Sequence, residues 1–177
     1  TEDLLYSVDY DANDAEGDTL TWTLNTNASW LSIDSNSGVL SGTPGNSDVG
    51  WFWVNVTCDD GNGGLDWRNF TIVVINVNDA PVINTADVVT TLEDALYTTT
   101  YAATDIDPTG DIMTWALDTS ASWLSINPTT GLLSGTPDNS QVGTYWVNVS
   151  VSDGNGGYDY SNFTLTVNNV NDDPTIT

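Results

Sequence analysis

The sequence predicts an all-β chain made of two β-sandwich domains in tandem. Two observations support this fold class. The chain repeats itself at a constant spacing of 93 residues, and each copy contains short apolar–polar alternations separated by turn-forming residues. An alternation with a period of two places one set of side chains inside a domain and the other set outside, as a β-strand does.

The repeat covers almost the whole chain. "TWTLNTNASWLSIDSNSGVLSGTPGNSDVG" (21–50) matches "TWALDTSASWLSINPTTGLLSGTPDNSQVG" (114–143), and residues 52–81 match residues 145–174 at the same spacing. Upstream, "EDLLY" (2–6) matches "EDALY" (93–97) at a spacing of 91, because Pro108 and Thr109 are inserted in a loop of the second copy. We predict repeat 1 at residues 1–79 and repeat 2, with the start of the next linker, at residues 80–177.

The two copies differ at the first strand of the unit. The stretch "PVINTADVV" (81–89) has no counterpart in repeat 1. We expect a neighbouring chain or residues beyond this segment to supply that strand, and the chain to be a piece of a longer tandem array.

The remaining strands follow in order along each copy. In repeat 1, Leu20, Trp22 and Leu24 alternate with threonines, and further alternations cover residues 51–58 and 70–75. The stretch "SNSGVLSGTPGNSDVG" supplies turns between strands, and "DDGNGG" is typical of a hairpin. Cys58 has no partner for an intramolecular disulfide and falls on the inward side, so it is predicted to be a small core residue, with an intermolecular bridge as the alternative.

The charge of the chain excludes several functions. It has 25 acidic residues against one basic residue, Arg68, and a formal net charge of −24. Binding to nucleic acid or to anionic lipid headgroups requires Lys and Arg, so neither is expected, and no membrane span or signal peptide is visible. Such a charge requires screening, either by high salt around an acidic surface or by specific divalent cation sites, and the two explanations are compatible.

Catalysis is also not expected. The sequence has no histidine, which excludes Ser–His and Cys–His nucleophilic chemistry within it. The paired carboxylates Asp105 and Asp107 could in principle do acid–base work. Both repeats carry such a pair, however, and an active site seldom needs a copy in every module. We therefore predict that the chain is not an enzyme.

The motifs "WLSI…G.LSGTP…VG.Y.V.V.VSDGNGG…F.L.V" resemble the putative-Ig and dystroglycan-type cadherin-like repeats of bacterial and archaeal surface proteins. "NVNDAP" resembles the linker between cadherin repeats. The resemblance implies two tandem Ig-like or cadherin-like Greek-key β-sandwiches. It also implies an extracellular, cell-surface location in a prokaryote, in proteins that form stalks, adhesins or filaments or carry accessory modules. The implied partners are neighbouring repeats or subunits of the same protein.

The resemblance also implies calcium, which takes six to eight oxygen ligands. Carboxylate and amide side chains cluster where the ends of the sandwiches should meet. By resemblance to cadherins, the junction inside this chain would use Glu2, Asn76, Asn78, Asp79, Asp105, Asp107 and Asp153. Half-sites would remain towards a preceding repeat (Asp14, Glu16, Asp60) and a following one (Glu93, Asn169, Asn171, Asp172).

Two departures from the cadherin pattern should weaken these sites. The D-R-E motif has no counterpart, since "SGTP" stands in its place, and the first linker Asp is Asn76. Both changes remove negative charge, and calcium affinity follows the charge and number of the ligands. The alternative interpretation is that the Asp and Asn residues only make turns and cap strand ends.

The predicted outer face carries five glycosylation sequons, at Asn27, Asn55, Asn69, Asn148 and Asn162. Large apolar residues lie on the same outward-facing side of the strands: Trp51, Trp53, Trp67, Val73 and Ile75 in repeat 1, and Trp146 in repeat 2. An apolar outer face marks an interaction site, and it could contact a subunit, pack on the protein's own glycans, bind external carbohydrate or be covered by the missing strand.

These observations predict a non-catalytic extracellular module, structural or adhesive, whose junctions are made rigid by calcium. The alternative is a carbohydrate-binding accessory module of a secreted protein that uses Trp51, Trp53 and Trp67.

Overall fold

β-Strands supply nearly all of the regular structure. The computed structural model describes residues 1–108, 110–174 and 176, so Thr109, one of the two inserted residues, lies outside the described residues. The chain divides into two units, Thr1–Val77 (unit 1) and Asn78–Thr177 (unit 2). The predicted all-β fold class of two tandem Ig-like or cadherin-like sandwiches is confirmed. A search of the described residues for a membrane-spanning helix finds no candidate.

Unit 1 consists of two three-stranded antiparallel sheets. Its strands are β1 (Tyr6–Asp9), β2 (Thr21–Thr26), β3 (Leu31–Ile33), β4 (Val39–Gly42), β5 (Gly50–Asp59) and β6 (Leu65–Val74), with a 3₁₀ turn at Asn46–Asp48. One sheet has the order β1-β4-β3 and the other β2-β5-β6. The "DDGNGG" turn closes the β5–β6 hairpin, whose register runs from Gly50 opposite Val74 to Asp59 opposite Leu65.

Unit 2 repeats this plan and adds three short strands. Its strands are β7 (Val82–Ile83), β8 (Thr90–Leu92), β9 (Tyr97–Thr100), β10 (Ala103–Thr104), β11 (Thr114–Thr119), β12 (Ser125–Ile126), β13 (Leu132–Gly135), β14 (Gly143–Ser152) and β15 (Tyr158–Asn168), with a 3₁₀ turn at Asn139–Gln141. The sheets have the orders β12-β13-β9 and β11-β14-β15-β8, and β7 pairs with β10. All pairs are antiparallel except β15 with β8.

Each unit has its own core between its two sheets. In unit 1, Leu40 is 0% exposed and packs with Trp22, Val54 and Val56 on the inward side of the predicted alternations. Cys58 is also buried there, as predicted, and burial, followed by nearby carboxylates, raises the pKa of its thiol. The core of unit 2 has the equivalent residues Leu133, Trp115, Val147, Val149 and Val151. Because both cores use the same positions, the repeat in sequence is a repeat in packing.

The strands β7, β8 and β10 mark the main difference between the units. They belong to residues 81–104, whose first part has no counterpart in repeat 1. In unit 2, β8 covers the end of β15, whereas β6 of unit 1 forms an edge with no strand beyond it among the described residues.

Candidate metal centre

The end of unit 2 that contains the linker collects acidic side chains from three places in the sequence. They come from the start of the unit (Asn78 and Asp79), from the loop after β10 (Asp105 to Asp111) and from the end of β14 (Asp153). Carboxylate oxygens of Asp105, Asp111 and Asp153 lie within 4.8 Å of one another. Sheet topology therefore brings together residues that are almost 50 positions apart in sequence.

The linker residues are hydrogen-bonded to this cluster. The Asn78 side-chain amide donates to Asp153 Oδ2 at 2.8 Å and to the Asp79 carbonyl at 2.9 Å. The backbone N–H of Asp79 donates to Asp107 Oδ2 at 2.7 Å. Four predicted ligands of unit 2 are thus joined directly by hydrogen bonds, and Asp105 joins them through the carboxylate cluster.

The hairpin "DGNGG" holds Asp153 in place. Its Oδ1 atom accepts hydrogen bonds from the backbone N–H groups of Asn155, Gly156 and Gly157, and the residue is 2% exposed. The Asn78 amide and these N–H groups lower the pKa of Asp153, against the opposing effect of desolvation. A Cβ at Gly157 would lie 2.1 Å from Asp153 Oδ2 and 2.8 Å from the Ala80 Cα, so only glycine allows this close approach.

The loop after β10 supplies two further carboxylates that the hairpin and the loop itself orient. Asp105 Oδ1 accepts from the Asp107 N–H at 3.0 Å, and Asp111 Oδ1 accepts from the Asn155 amide at 2.7 Å. Asp105 Oδ2 is buried and has no hydrogen-bond partner. A buried carboxylate oxygen beside two other carboxylates is costly unless a cation balances it.

This donor set fits calcium. Calcium takes carboxylate, amide and backbone carbonyl oxygens, and the cluster offers all three classes, with the Ala80 carbonyl also predicted from the sequence. The only basic residue of the chain, Arg68, belongs to unit 1, so no side-chain cation of unit 2 can balance these charges.

Unit 1 has an equivalent cluster. Carboxylate oxygens of Asp14, Asp18 and Asp60 lie within 4.8 Å of one another. Asp14 Oδ1 accepts from the N–H groups of Glu16 and Asp18, and Asp60 Oδ1 accepts from that of Gly64 at 2.9 Å. The Glu16 side chain is exposed and outside this group of three, so its predicted role as a ligand stays a prediction.

Glu2 and Glu93 occupy equivalent positions at the opposite edge of their units. Glu2 is 1% exposed, its Oε1 accepts from the Val77 N–H at 2.7 Å, and its Oε2 is buried without a hydrogen-bond partner. Glu93 does the same with the N–H of Val170. Each glutamate thereby fixes the backbone of the linker that leaves its own unit.

A left-handed residue follows each of these glutamates. Asp3 has φ of 58° and Asp94 has φ of 56°, and their N–H groups donate to the carbonyls of Pro44 and Pro137. These are the prolines of the two "SGTP" motifs. The "ED" and "SGTP" motifs therefore act together to hold the buried glutamate.

The predicted ligands divide between the units. Glu2 and Asn76 belong to unit 1, whereas Asn78, Asp79, Asp105, Asp107 and Asp153 belong to unit 2. At the far linker, the Asn171 amide donates to the Asp172 carbonyl and Asp172 Oδ2 accepts from Asn139. Asn169 lies in the same exposed stretch.

The sequence analysis missed Asp18, Asp111 and Asn155. The signal was present, because Asp18 and Asp111 match each other at the spacing of 93 and follow the paired acids in the same loop. A loop with a two-residue insertion before Asp111 obscured the correspondence.

The outer face of unit 1 has the predicted aromatic residues. The exposed fractions are 74% for Trp51, 63% for Trp67 and 48% for Trp53. Val73, opposite Trp51 in the β5–β6 register, and Ile75 are also exposed. In unit 2, Trp146 is 51% exposed on β14.

The predicted sequons lie on the same outer faces. Asn55 is opposite Asn69 in unit 1, and Asn148 is opposite Asn162 in unit 2. The Asn55 amide donates to Asn69 Oδ1 at 2.6 Å, and Asn27 Oδ1 accepts from the Trp53 N–H at 2.8 Å. Asn69 and Asn162 are fully exposed, and Asn55 and Asn148 are half-buried.

The sequence matches the Putative Ig domain family over residues 1–75 and 80–168, one match in each unit. No protein of curated function matches the chain. Among solved structures, repeats EC21–23 of human CDH23 resemble 88% of this chain over 64% of their own length, with 18% identity and a TM-score of 0.58. Repeats EC1–2 of human protocadherin-24 resemble 89% of it over 85% of theirs, with 16% identity and a TM-score of 0.55.

A third solved structure is an enzyme. An endo-fucoidan hydrolase from glycoside hydrolase family 107 matches 96% of this chain with 26% identity and a TM-score of 0.43. The chain spans only 27% of the length of that hydrolase. The cadherin likenesses show the fold, which is that of tandem cadherin-like and Ig-like repeats.

Proposed function

The chain belongs to the Putative Ig domain family, and from this membership we propose that it is a non-catalytic structural or adhesive module of a repetitive extracellular protein, loaded with calcium at the linker end of each unit. The observation that supports calcium most is Asp105 Oδ2, which is buried without a hydrogen-bond partner beside Asp111 and Asp153. In the proposed protein, these modules build a stalk, adhesin or filament on a prokaryotic cell surface. Their partners are neighbouring repeats or subunits.

In unit 2, the residues that would hold the ion are Asp105, Asp111 and Asp153, with Asp79 and Asp107 next to them. Calcium would supply the positive charge that these carboxylates lack. Asn78 and Asp79 begin unit 2 and are hydrogen-bonded to the cluster, so binding would also order the segment that connects the two units. That ordering is how calcium would stiffen a tandem array.

In unit 1, Asp14, Asp18 and Asp60 would hold an ion in the same way, with Glu16 as a further candidate. The buried glutamates Glu2 and Glu93, with Asn76 in unit 1 and Asn169, Asn171 and Asp172 in unit 2, remain candidate ligands from the linkers that leave each unit. The same arrangement in both units supports a structural role, since each module carries its own carboxylate set.

Calcium titration tests this proposal. Calcium at a hundredfold excess over its dissociation constant stabilises a protein by about 2.7 kcal/mol. We therefore expect a higher melting temperature in calcium than in a chelator, and binding heat in calorimetry. Asp105→Asn should remove part of this stabilisation, while Asp118→Asn, an exposed control on β11, should not. Identical melting in calcium and chelator, with no ion retained in native mass spectrometry, would refute it.

We propose a second function for the outer face of unit 1, as a carbohydrate-binding module. The observation that favours it is the exposure of Trp51, Trp53 and Trp67 on one side of the β5–β6 hairpin, since exposed tryptophans give apolar faces on which sugar rings can stack. A glycan array probed with the chain and with Trp53→Ala tests it. Equal signals from both proteins would contradict it.

We further propose that the outer face is glycosylated, with Asn69 and Asn162 ahead of the other sequons. Asn69 is exposed, whereas the Asn55 amide nitrogen, the atom that receives a sugar, already donates to Asn69. Glycopeptide mapping of protein secreted from a glycosylating host should find Asn69 occupied more often than Asn55. The opposite order would show that the hydrogen bond does not decide the choice.

A further inference from the structure

Residues 81–92 of unit 2 close a gap between the edges of its two sheets. The first half pairs with β10, where Ile83 is opposite Ala103 and Val82 is opposite Thr104. The second half, β8, runs parallel to the end of β15, and the Thr166 N–H donates to the Val89 carbonyl at 2.9 Å. One extended segment therefore serves both sheets.

Polar contacts fix this segment at its middle. The Asp87 carboxylate accepts from the Tyr101 hydroxyl at 2.6 Å and from the Ser161 hydroxyl at 2.7 Å. The Tyr97 hydroxyl donates to the Val88 carbonyl at 2.9 Å, and the Ile83 N–H donates to Asp159 at 2.7 Å.

Unit 1 has the receiving surface for such a segment without the segment. Tyr97 and Tyr101 are 3% and 2% exposed, but their counterparts Tyr6 and Tyr10 are only half-buried. One groove of about 330 Å³ lies between Tyr10 and Arg68, and another of about 300 Å³ lies between Tyr6 and Val73. Both follow the gap between β1 and the open edge of β6.

The charge at this surface differs from that of unit 2 at one position. Arg68, the only basic residue of the chain, stands where unit 2 has Ser161, the partner of Asp87. Arg68 is exposed and forms no ion pair within the described residues. It lowers the pKa of Tyr10, against the larger effect of burial, so its charge acts on this hydroxyl. A carboxylate placed as Asp87 is placed would meet both groups.

We propose that the gap between β1 and β6 is an acceptor site for an extended strand of a partner polypeptide that carries one carboxylate at its middle. The strand binds as residues 81–92 bind in unit 2. Its backbone pairs with the open edge of β6, and its carboxylate pairs with Arg68 and accepts a hydrogen bond from Tyr10. An unpaired edge supplies main-chain donors and acceptors for an added strand.

The surrounding charge makes the site selective. At a net charge of −24 the chain repels acidic peptides, so an acidic strand gains from binding only where Arg68 stands. A strand without the carboxylate forms the same backbone pairs but leaves the guanidinium unmatched.

The test is the binding of a synthetic peptide with the sequence of residues 80–92, APVINTADVVTTL, to the full chain. We expect saturable one-to-one binding and slower hydrogen exchange in β6. A peptide with Asn in place of its Asp, or the variant Arg68→Asp, should bind about tenfold more weakly. Arg68→Ser, which copies unit 2, should retain binding but lose most of its salt dependence. Arg68 is exposed, so these variants should fold.

Several results would overturn the proposal. They are the absence of saturable binding, equal affinity of Arg68→Asp and the unaltered chain, and slowed exchange confined to unit 2. A chain that is dimeric before peptide is added, with β6 already protected from exchange, would overturn it in favour of a second copy as the occupant.

Discussion

Removing the Asp87 carboxylate should destabilise unit 2 severely. Asp87 lies on the segment before β8 and holds it to both sheets, through the Tyr101 hydroxyl at 2.6 Å and the Ser161 hydroxyl at 2.7 Å. The substitution Asp87→Ala removes the acceptor and leaves both donors in place.

The two donors set the magnitude. Tyr101 is 2% exposed, so its hydroxyl cannot turn to water, and a buried donor without a partner costs about 1–3 kcal/mol. Ser161 is half-buried and regains part of its bonding from solvent. Since a hydrogen bond to a charged group contributes about 1.5–3 kcal/mol, we expect a total loss of about 3 kcal/mol. For a domain of this size, that loss lowers the melting temperature by about 12–24 °C.

Thermal denaturation combined with hydrogen-exchange mass spectrometry measures this effect unit by unit. Exchange should rise in β9 and β15 and stay unchanged in unit 1. Asp118→Ala is the matched control, because it removes the same charge from an exposed position on β11. A double-mutant cycle with Tyr101→Phe should give a coupling energy of about 1–3 kcal/mol.

Two results would refute this reasoning. One is a loss of stability after Asp87→Ala no larger than that after Asp118→Ala. The other is a coupling energy near zero, which would mean that the bond to Tyr101 does not hold the segment.

Two further predictions concern unit 2. Gly131→Ala places a Cβ 2.5 Å from the Tyr101 carbonyl oxygen at φ of +69°, and should cost more in chemical denaturation than Gly154→Ala, where φ is +84° and the surroundings are open. The control should show only the left-handed penalty of about 1–2 kcal/mol, and equal losses would contradict the packing argument. Burial, followed by the nearby Asp87 charge, raises the pKa of Tyr97 from 10.0 to about 12, and burial also raises that of Tyr101. Stability from these neutral hydroxyls is fully present below pH 10 and should be lost as pH rises towards 12, because the unfolded tyrosines ionise first. Tyrosinate absorbance that appears near pH 10 in folded protein, followed by circular dichroism, would contradict this.

The strand pattern could be predicted from the sequence because it is local. In β5, Phe52, Val54, Val56 and Cys58 turn inward and the residues between them turn outward, as a period of two requires. The spacing of 93 likewise predicted that Trp22 and Trp115 would fill equivalent places in two cores. Neither conclusion needs knowledge of which strands pair.

The candidate metal centre was only partly predictable. Residue type and repeat position indicated Asp105 and Asp153, but not that Asp111 would lie with them, because the insertion before it shifts the spacing of the loop. Glu16 showed the converse, since its acidic spacing gave no information on where its side chain would point.

The sequence by itself determined the fold class, the number of repeats in this chain and the residue types at the linker ends, because hydrophobic periodicity and internal repetition are properties of neighbouring residues. Tertiary structure decided which carboxylates share a cluster and which edge stays open. Those features depend on contacts between strands that are far apart in sequence. Arg68 illustrates both, since the sequence gives it as the only cation, and only the pairing of sheets places it beside Tyr10 at an uncovered edge.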